Sequence, residues 1–267
     1  VTTLTKTASV QGTGVGVPAI ALTDATLATP VAVGEISPYG STPVGTPVNH
    51  TFTITNGGTG PLALTAGAPF VTVSGSSAFT LLAAPVTTSP VAAGGGTTQF
   101  AIRYNPSAAG DHGATVTIAN NSGTNPFTFT VTGTGTAAKI AVSPSAGTFG
   151  SINLGSSSSP RDFTIYNNGN ATLNIANALS GANTADFAVA GIPASLAAGA
   201  HASFTVIFTP GAAAGRSATL TLTTNDPDTP SFAIALSGTG VALAPAISVL
   251  GNTAFGTVNM NASSPAH

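Results

Sequence analysis

Between Phe204 and Gly240 apolar residues recur at every second position in three runs: Phe204-Val206-Phe208, Leu220-Leu222 and Phe232-Ile234-Leu236. Turn signals separate the runs, namely Pro210-Gly211, Gly215 and Asn225-Asp226-Pro227-Asp228. Pro and Gly set special backbone angles there, while Asn and Asp fold their side chains back onto the chain. A period of two between turns predicts strands with one face buried and one face in water. Thr, Ser and Ala fill the wet face, which suits a pleated surface and carries little reactive chemistry. Extended upstream, the same pattern predicts strands near 139–143, 147–153, 161–167, 171–178, 186–190, 201–209, 217–224 and 231–237. Their expected core is Phe163, Ile165, Leu173, Ile175, Phe187, Phe204, Val206, Phe208, Leu220, Leu222, Phe232 and Ile234. No segment repeats apolar residues at i, i+3, i+4 and i+7 over three turns, so no long helix is expected.

The pattern is repeated. Phe52-Thr-Ile-Thr-Asn56-Gly-Gly matches Phe163-Thr-Ile-Tyr-Asn167-Asn-Gly. Phe100-Ala-Ile-Arg-Tyr-Asn-Pro106, closed by Gly110, matches Phe204-Thr-Val-Ile-Phe-Thr-Pro210, closed by Gly215. The ending Gly133-Thr-Gly135 returns as Gly238-Thr-Gly240 and stands already at Gly12-Thr-Gly14. The opening Ile20-Ala-Leu returns as Ile140-Ala-Val and Ile247-Ser-Val, and Thr148-Phe-Gly as Ala254-Phe-Gly. A period near one hundred residues means tandem domains rather than a short-repeat solenoid. The expected organisation is the tail of a preceding repeat over 1–14, full repeats over 15–135 and 136–240, and the start of another over 241–267. Seven or eight short strands per repeat predict an all-β fold of tandem immunoglobulin-like antiparallel β-sandwich domains. The first repeat is longer, with 32 positions from Ile20 to Phe52 against 23 from Ile140 to Phe163. Its extra residues, around Pro30–Pro47 and Pro85–Gly96, are expected in surface loops. The fragments at the two ends suit a window on a longer array of like domains better than polymerisation by strand donation. An opening at Val1 without methionine suggests processing or trimming.

Composition then narrows the setting. Charged residues make up 4% of the 267 residues, against a usual share of about a quarter. The net charge of −2 offers no footprint for nucleic acid or an anionic membrane. No cysteine is present, which removes disulfides and thiolate metal sites. No run of 18 apolar residues exists, so no membrane span is expected. Scarce Lys and Glu beside abundant Thr, Ser, Gly and Ala favour an extracellular setting.

Candidate chemistry is thin. Asn225-Asp226-Pro227-Asp228 gathers two carboxylates, yet a calcium site wants six or more oxygens and a hairpin turn selects the same residues. His50, His112, His201 and His267 have no close-spaced partner and no triad pattern, although His112 follows Asp111. Gly94-Gly95-Gly96 lacks the Lys-Ser/Thr of a phosphate loop and reads as a flexible loop. Lys139 opens a strand where a sandwich can crosslink Lys to Asn, but the first repeat has Ala19 there, so a solvated lysine is expected. Asn49, Asn120, Asn170 and Asn261 begin N-x-S/T triplets, which arise readily by chance in such a chain. No catalytic, metal or cofactor-binding residue is therefore assigned, and no cofactor is expected.

One resemblance rests on ordered motifs. Asn167-x-Gly169 after a Phe-Thr-Ile strand, Asp186-Phe187, Phe204-Thr-Val-x-Phe-x-Pro210, Thr224-Asn-Asp-Pro-Asp228 and Gly238-Thr-Gly240 together resemble the bacterial choice-of-anchor D repeats. Those in turn are similar to the ASH/Hydin-type branch of immunoglobulin-like domains. The resemblance covers 136–240 well and 15–135 more loosely, since the first repeat has Asn120-Asn-Ser-Gly at the acidic turn and no clear Asp-Phe pair. It implies a bacterial surface or secreted architecture and brings no catalytic residues. The function expected is a structural segment of a stalk, fibre or filament, not an enzyme, whose partners are neighbouring like domains or copies of itself. The alternative is an adhesin or a carbohydrate- or protein-binding module working through the loops of the first repeat. That alternative needs exposed aromatic residues, for which only Tyr39, Phe70 and Phe79 stand in or near such segments.

Overall fold

The computed structural model describes residue 5 and residues 14–67, 69–82 and 89–243. Nearly all of the expected end fragments, with His267 and Asn261, lie outside the described residues. In the first repeat the strands are β1 (Ile20–Asp24), β2 (Thr29–Val31), β3 (Ile36–Pro43), β4 (Val48–Asn56), β5 (Val71–Gly75), β6 (Phe79–Leu81), β7 (Gly96–Tyr104), β8 (Gly110–Ile118) and β9 (Phe127–Thr136). In the second they are β10 (Ile140–Ser143), β11 (Ala146–Asn153), β12 (Arg161–Asn167), β13 (Leu173–Ser180), β14 (Phe187–Ala190), β15 (Ser195–Leu196), β16 (His201–Phe208), β17 (Gly215–Thr224) and β18 (Ser231–Val241). A 3-10 turn over Thr184–Asp186 precedes β14.

Each repeat forms two sheets. The first repeat has the orders β2-β1-β4-β7-β6 and β3-β9-β8-β5, and the second β10-β12-β16-β14 and β11-β18-β17-β13-β15. The fold is a tandem of immunoglobulin-like β-sandwiches. One feature departs from the all-antiparallel expectation, because β3 pairs β9 and β11 pairs β18 in parallel. The chain leaves the first sheet after β2 in the first repeat and after β10 in the second, and enters the other sheet beside the closing strand. The proline-rich segment 30–47 is correspondingly no loop, since it supplies β2 and β3.

Two separate cores fill the sandwiches, one from Leu22 to Val131 and one from Ala138 to Leu236. Of the twelve core positions expected in the second repeat, eleven are buried, while Phe232 is half-buried and Leu236 closes the core below it. Phe163 stacks on Phe204 at 5.1 Å between centroids and Phe187 on Phe208 at 5.0 Å, the offset spacing aromatic rings prefer.

The Gly-Thr-Gly ending is explained by this packing. A Cβ on Gly238 would lie 2.4 Å from the Phe208 ring, and one on Gly240 2.1 Å from the Ala212 carbonyl oxygen. In the first repeat a Cβ on Gly133 would lie 2.7 Å from the Tyr104 ring, and one on Gly135 2.2 Å from the Ala108 carbonyl oxygen. The closing strand therefore runs directly under the aromatic ring and turn that end β7 and β16.

Alternation along β16 gives a direct test. Phe208 is fully buried and Thr205 half-exposed, so Phe208→Ala should cost about 3–5 kcal/mol and Thr205→Ala about 1 kcal/mol or less. Equal losses in denaturant unfolding would place the strand one residue out of register.

Candidate functional site: the junction between the repeats

The junction begins at a buried amide. Asn167, the last residue of β12, accepts at Oδ1 from the N–H groups of Lys139 (3.2 Å) and Gly169 (3.1 Å). Its Nδ2 donates to the carbonyls of Ala171, Leu196 and Ala197 at 2.8–3.1 Å. Asn56 does the same in the first repeat, accepting from Ala19 and Gly58 and donating to Gly60 and Val91. Two residues on, the glycine of the Asn-x-Gly motif is dictated by crowding. A Cβ on Gly169 would fall 2.3 Å from the Ala137 oxygen, because the chain entering β10 crosses directly over it.

That crossing segment is the link between the sandwiches. Only Ala137, Ala138 and Lys139 separate β9 from β10, and they are tied on both sides. Asn170 Nδ2 donates to the Gly135 carbonyl (2.8 Å) and its Oδ1 accepts from Ala137 N–H (2.9 Å). The N–H groups of Asn170 and Ala171 both donate to the Ala137 carbonyl. Val44 N–H reaches the Thr136 carbonyl from the first repeat, and Ala138 belongs to the core of the second. Thr59 holds the corresponding position in the first repeat, accepting from Val17 N–H through Oγ1 at 3.1 Å.

The acidic turn closes the same end. Asp226 is buried; its Oδ2 accepts from Ile140 N–H at 2.9 Å and its Oδ1 from the N–H groups of Asp228 and Thr229. Asn225 braces β13 through Asn174 N–H and the Thr172 carbonyl. Backbone donors thus point at the carboxylate where a cation would need lone pairs, and the motif works as a turn that pins β10. Asn121 plays the part of Asn225 in the first repeat, binding Ala63 N–H and the Pro61 carbonyl. A cleft of about 470 Å³ opens between the repeats, with Val44, Lys139, Asn168 and Asp228 among its walls. Lys139 is exposed there.

Sequence reasoning missed a second polar cluster. Asp24 and His50, far apart in the chain, meet inside the first sandwich with Ser37. Asp24 Oδ2 accepts from Ser37 Oγ at 2.7 Å and lies 2.8 Å from His50 Nδ1, while Oδ1 accepts from Thr26 and Leu27 N–H. Tyr39 stacks on the His50 ring at 3.8 Å and donates to the Ile102 carbonyl. Burial, and after it the nearby Asp24 charge, pushes the Tyr39 phenol far above its ordinary value. These residue types make up a nucleophilic triad in other settings, but here the serine is turned to the carboxylate and no base holds its hydroxyl. The hub is Asp24, and the cluster bolts β1 and β4 of one sheet to β3 of the other. His50, without a close-spaced partner in the sequence, has this one in space; the signal was the period-two position of Asp24 on the inward face of β1.

The remaining candidates are dispersed. His112 Nδ1 lies 3.0 Å from Tyr104 Oη, whose pKa burial and then Asp111 raise. His201 is exposed beside Tyr166. Gly94 and Gly95 are held by the Gly58 and Asn56 carbonyls, so this run is a pinned turn rather than a flexible loop. Asn120 is buried with its amide donating to Ile118 and Thr124 carbonyls, and Asn170 spends both amide atoms in the junction; Asn49 is exposed. Tyr39 and Phe79 are buried and Phe70 packs against the first core.

Among solved structures, similar folds include the ASH/PapD-like domain of human CEP192, with 13% identity over 40% of this chain and 89% of that one at a TM-score of 0.34. Extracellular cadherin domains 1–4 of protocadherin gamma B7 match with 11% identity over 85% of this chain and 51% of theirs, at 0.47. Titin domains Z1Z2 in complex with telethonin match with 9% identity over 84% and 98%, at 0.29. No family model matches the chain, and no curated protein matches it.

Among the described residues one part-buried arginine pair gives a pH test. Arg216 Nε donates to Asp186 Oδ2; this bond, helped by Gly211 N–H, holds the Asp186 carboxyl below its ordinary value against the opposing effect of burial. A depressed native pKa stabilises the fold above the unfolded value, near pH 4, and that stabilisation is lost as pH falls through the native value. The difference in thermal midpoint between wild type and Asp186→Asn should thus be constant above about pH 5 and shrink steadily below about pH 4. A difference that persists unchanged at the acid end would mean the carboxylate charge is not what Arg216 holds.

Proposed function

We propose that this chain is a structural segment of a bacterial extracellular protein, a spacer built from tandem immunoglobulin-like domains of choice-of-anchor D type, without catalytic activity. The observation that carries the reading is the junction. Backbone bonds from Asn168, Asn170 and Ala171 hold Lys139 and Ala137, and the Asn170 amide reaches back to the Gly135 carbonyl of the first repeat, so the sandwiches are coupled stiffly, as a stalk or filament segment requires. Two of the motifs shared with those repeats fall on the parts that build this coupling: Asn167 and Gly169 under the link, and Asp226 on Ile140. The binding-module alternative loses its support, because Tyr39 and Phe79 are core residues and Phe70 packs on that core.

Protease added to intact producing cells should release fragments of this chain; a chain that stays protected until lysis would overturn the extracellular assignment. Stiffness has its own readout. Asn170→Ala should broaden the distribution of inter-domain distances in small-angle scattering, and Asn170→Thr, the residue type at Thr59, should narrow it again. An unchanged distribution in Asn170→Ala would mean that the backbone bonds suffice.

A further inference from the structure

Sheet edges are where a chain with so few charges is most exposed to other chains, since unpaired N–H and C=O groups there template further strands. In the second sandwich most edges are blunted. β10 has four residues and runs into Pro144, β11 carries a bulge between Thr148 and Ser151, and β14 has four residues with Pro193 close behind. In the first, β2 contains Pro30, β3 contains Pro38, Pro43 and a bulge, β6 has three residues, and β5 follows Pro69 and ends on Gly75 at φ +134°. The outer side of β13 differs. β15 covers only Leu173 and Asn174, and Ala176-Asn177-Ala178-Leu179-Ser180 continues with no charge, proline or bulge in unbroken register with β17.

The direction of the free groups follows from one bond. Ile175 N–H donates to the Ala194 carbonyl, on the side away from β17. Backbone groups alternate along a strand, so the N–H and C=O of Asn177 and Leu179 face that same open side. Ala176, Asn177, Ala178 and Ser180 are exposed, so nothing among the described residues covers them.

We propose that this edge pairs with the same edge of a second copy, antiparallel across a two-fold axis through Ala178. In that register Asn177 faces Leu179 of the other copy and the reverse, and all four outward groups on each copy are used in four backbone hydrogen bonds. Ala178 then meets its own counterpart in the close, non-hydrogen-bonded position, about 4.5 Å between Cα atoms, where a small side chain fits. The contact is isologous and closes on itself. With no charge on either strand, identical edges meet without repulsion. The inference goes beyond a spacer role, which needs no lateral partner, and it holds wherever the protein acts.

Sedimentation equilibrium of the whole chain over a concentration series tests it. Wild type should rise from the 25.6 kDa monomer towards twice that mass. Asn177→Pro, which removes an outward N–H and no ladder bond, should abolish the rise. Ala178→Lys, which sets two like charges on the axis, should do the same, each with an unchanged thermal midpoint. Thr72→Lys on β5, the counterpart edge of the first repeat, should dimerise as wild type does. A monomeric wild type at every concentration, or a dimer that survives Ala178→Lys or is lost in a folded Thr72→Lys, overturns the proposal.

Discussion

The structure depends on one buried amide per repeat. Asn167 closes β12, and its five hydrogen bonds tie together the entry into β10, the turn after β12 and the Leu196-Ala197 backbone that leads to β16. Backbone bonds already join the entry to the turn, from Asn168 to Lys139 and from Asn170 and Ala171 to Ala137; without the amide the Lys139 and Gly169 N–H groups and the Leu196 carbonyl would lose the partner it gives them. Because the link between the sandwiches is also the entry into β10, the same side chain that completes one domain fixes where the previous one attaches. Folding and domain coupling therefore share a residue.

The two sandwiches solve one problem differently. The opening strand must leave one sheet and join the other, and the crossing has to be secured. In the second repeat the crossing positions are Pro144, Gly147 and Phe149, with Arg161 on β12. Phe149 packs against Phe187 and Phe208 at 5.8 Å, and Arg161 caps the Thr148 carbonyl from outside. In the first repeat the corresponding residues are Asp24, Ser37, Tyr39 and His50, and a polar cluster replaces the apolar packing. Changing any one of the four in isolation would strand a buried donor or charge, whereas the set is satisfied together.

Strands, turns and most of the core were legible because each is written locally, in period two and in turn residues. The Asn-x-Gly and Gly-Thr-Gly motifs were legible as repetition but not as physics, since the atoms that demand glycine at 169 and 238 belong to segments about 30 residues away. Tyr39 was misplaced for a related reason. Prolines at 30, 38 and 43 read as a loop, yet they sit in edge strands, where a missing N–H faces away from the ladder. The Asp24–His50 pair was hidden because neither neighbour in sequence hints at the other.

Low charge ties these observations together. With 4% charged residues the chain has no supply of edge lysines, the common guard against strand addition. It relies instead on prolines, bulges and short strands, each of which works by backbone geometry. Such devices suit edges that bend or stop, but β13 must stay straight and long, because Ile175 and Leu173 anchor it in the core and Asn174 takes the brace from Asn225. The strand that the acidic turn needs intact is thus the one that geometry cannot blunt. Its open side follows from how the junction is built.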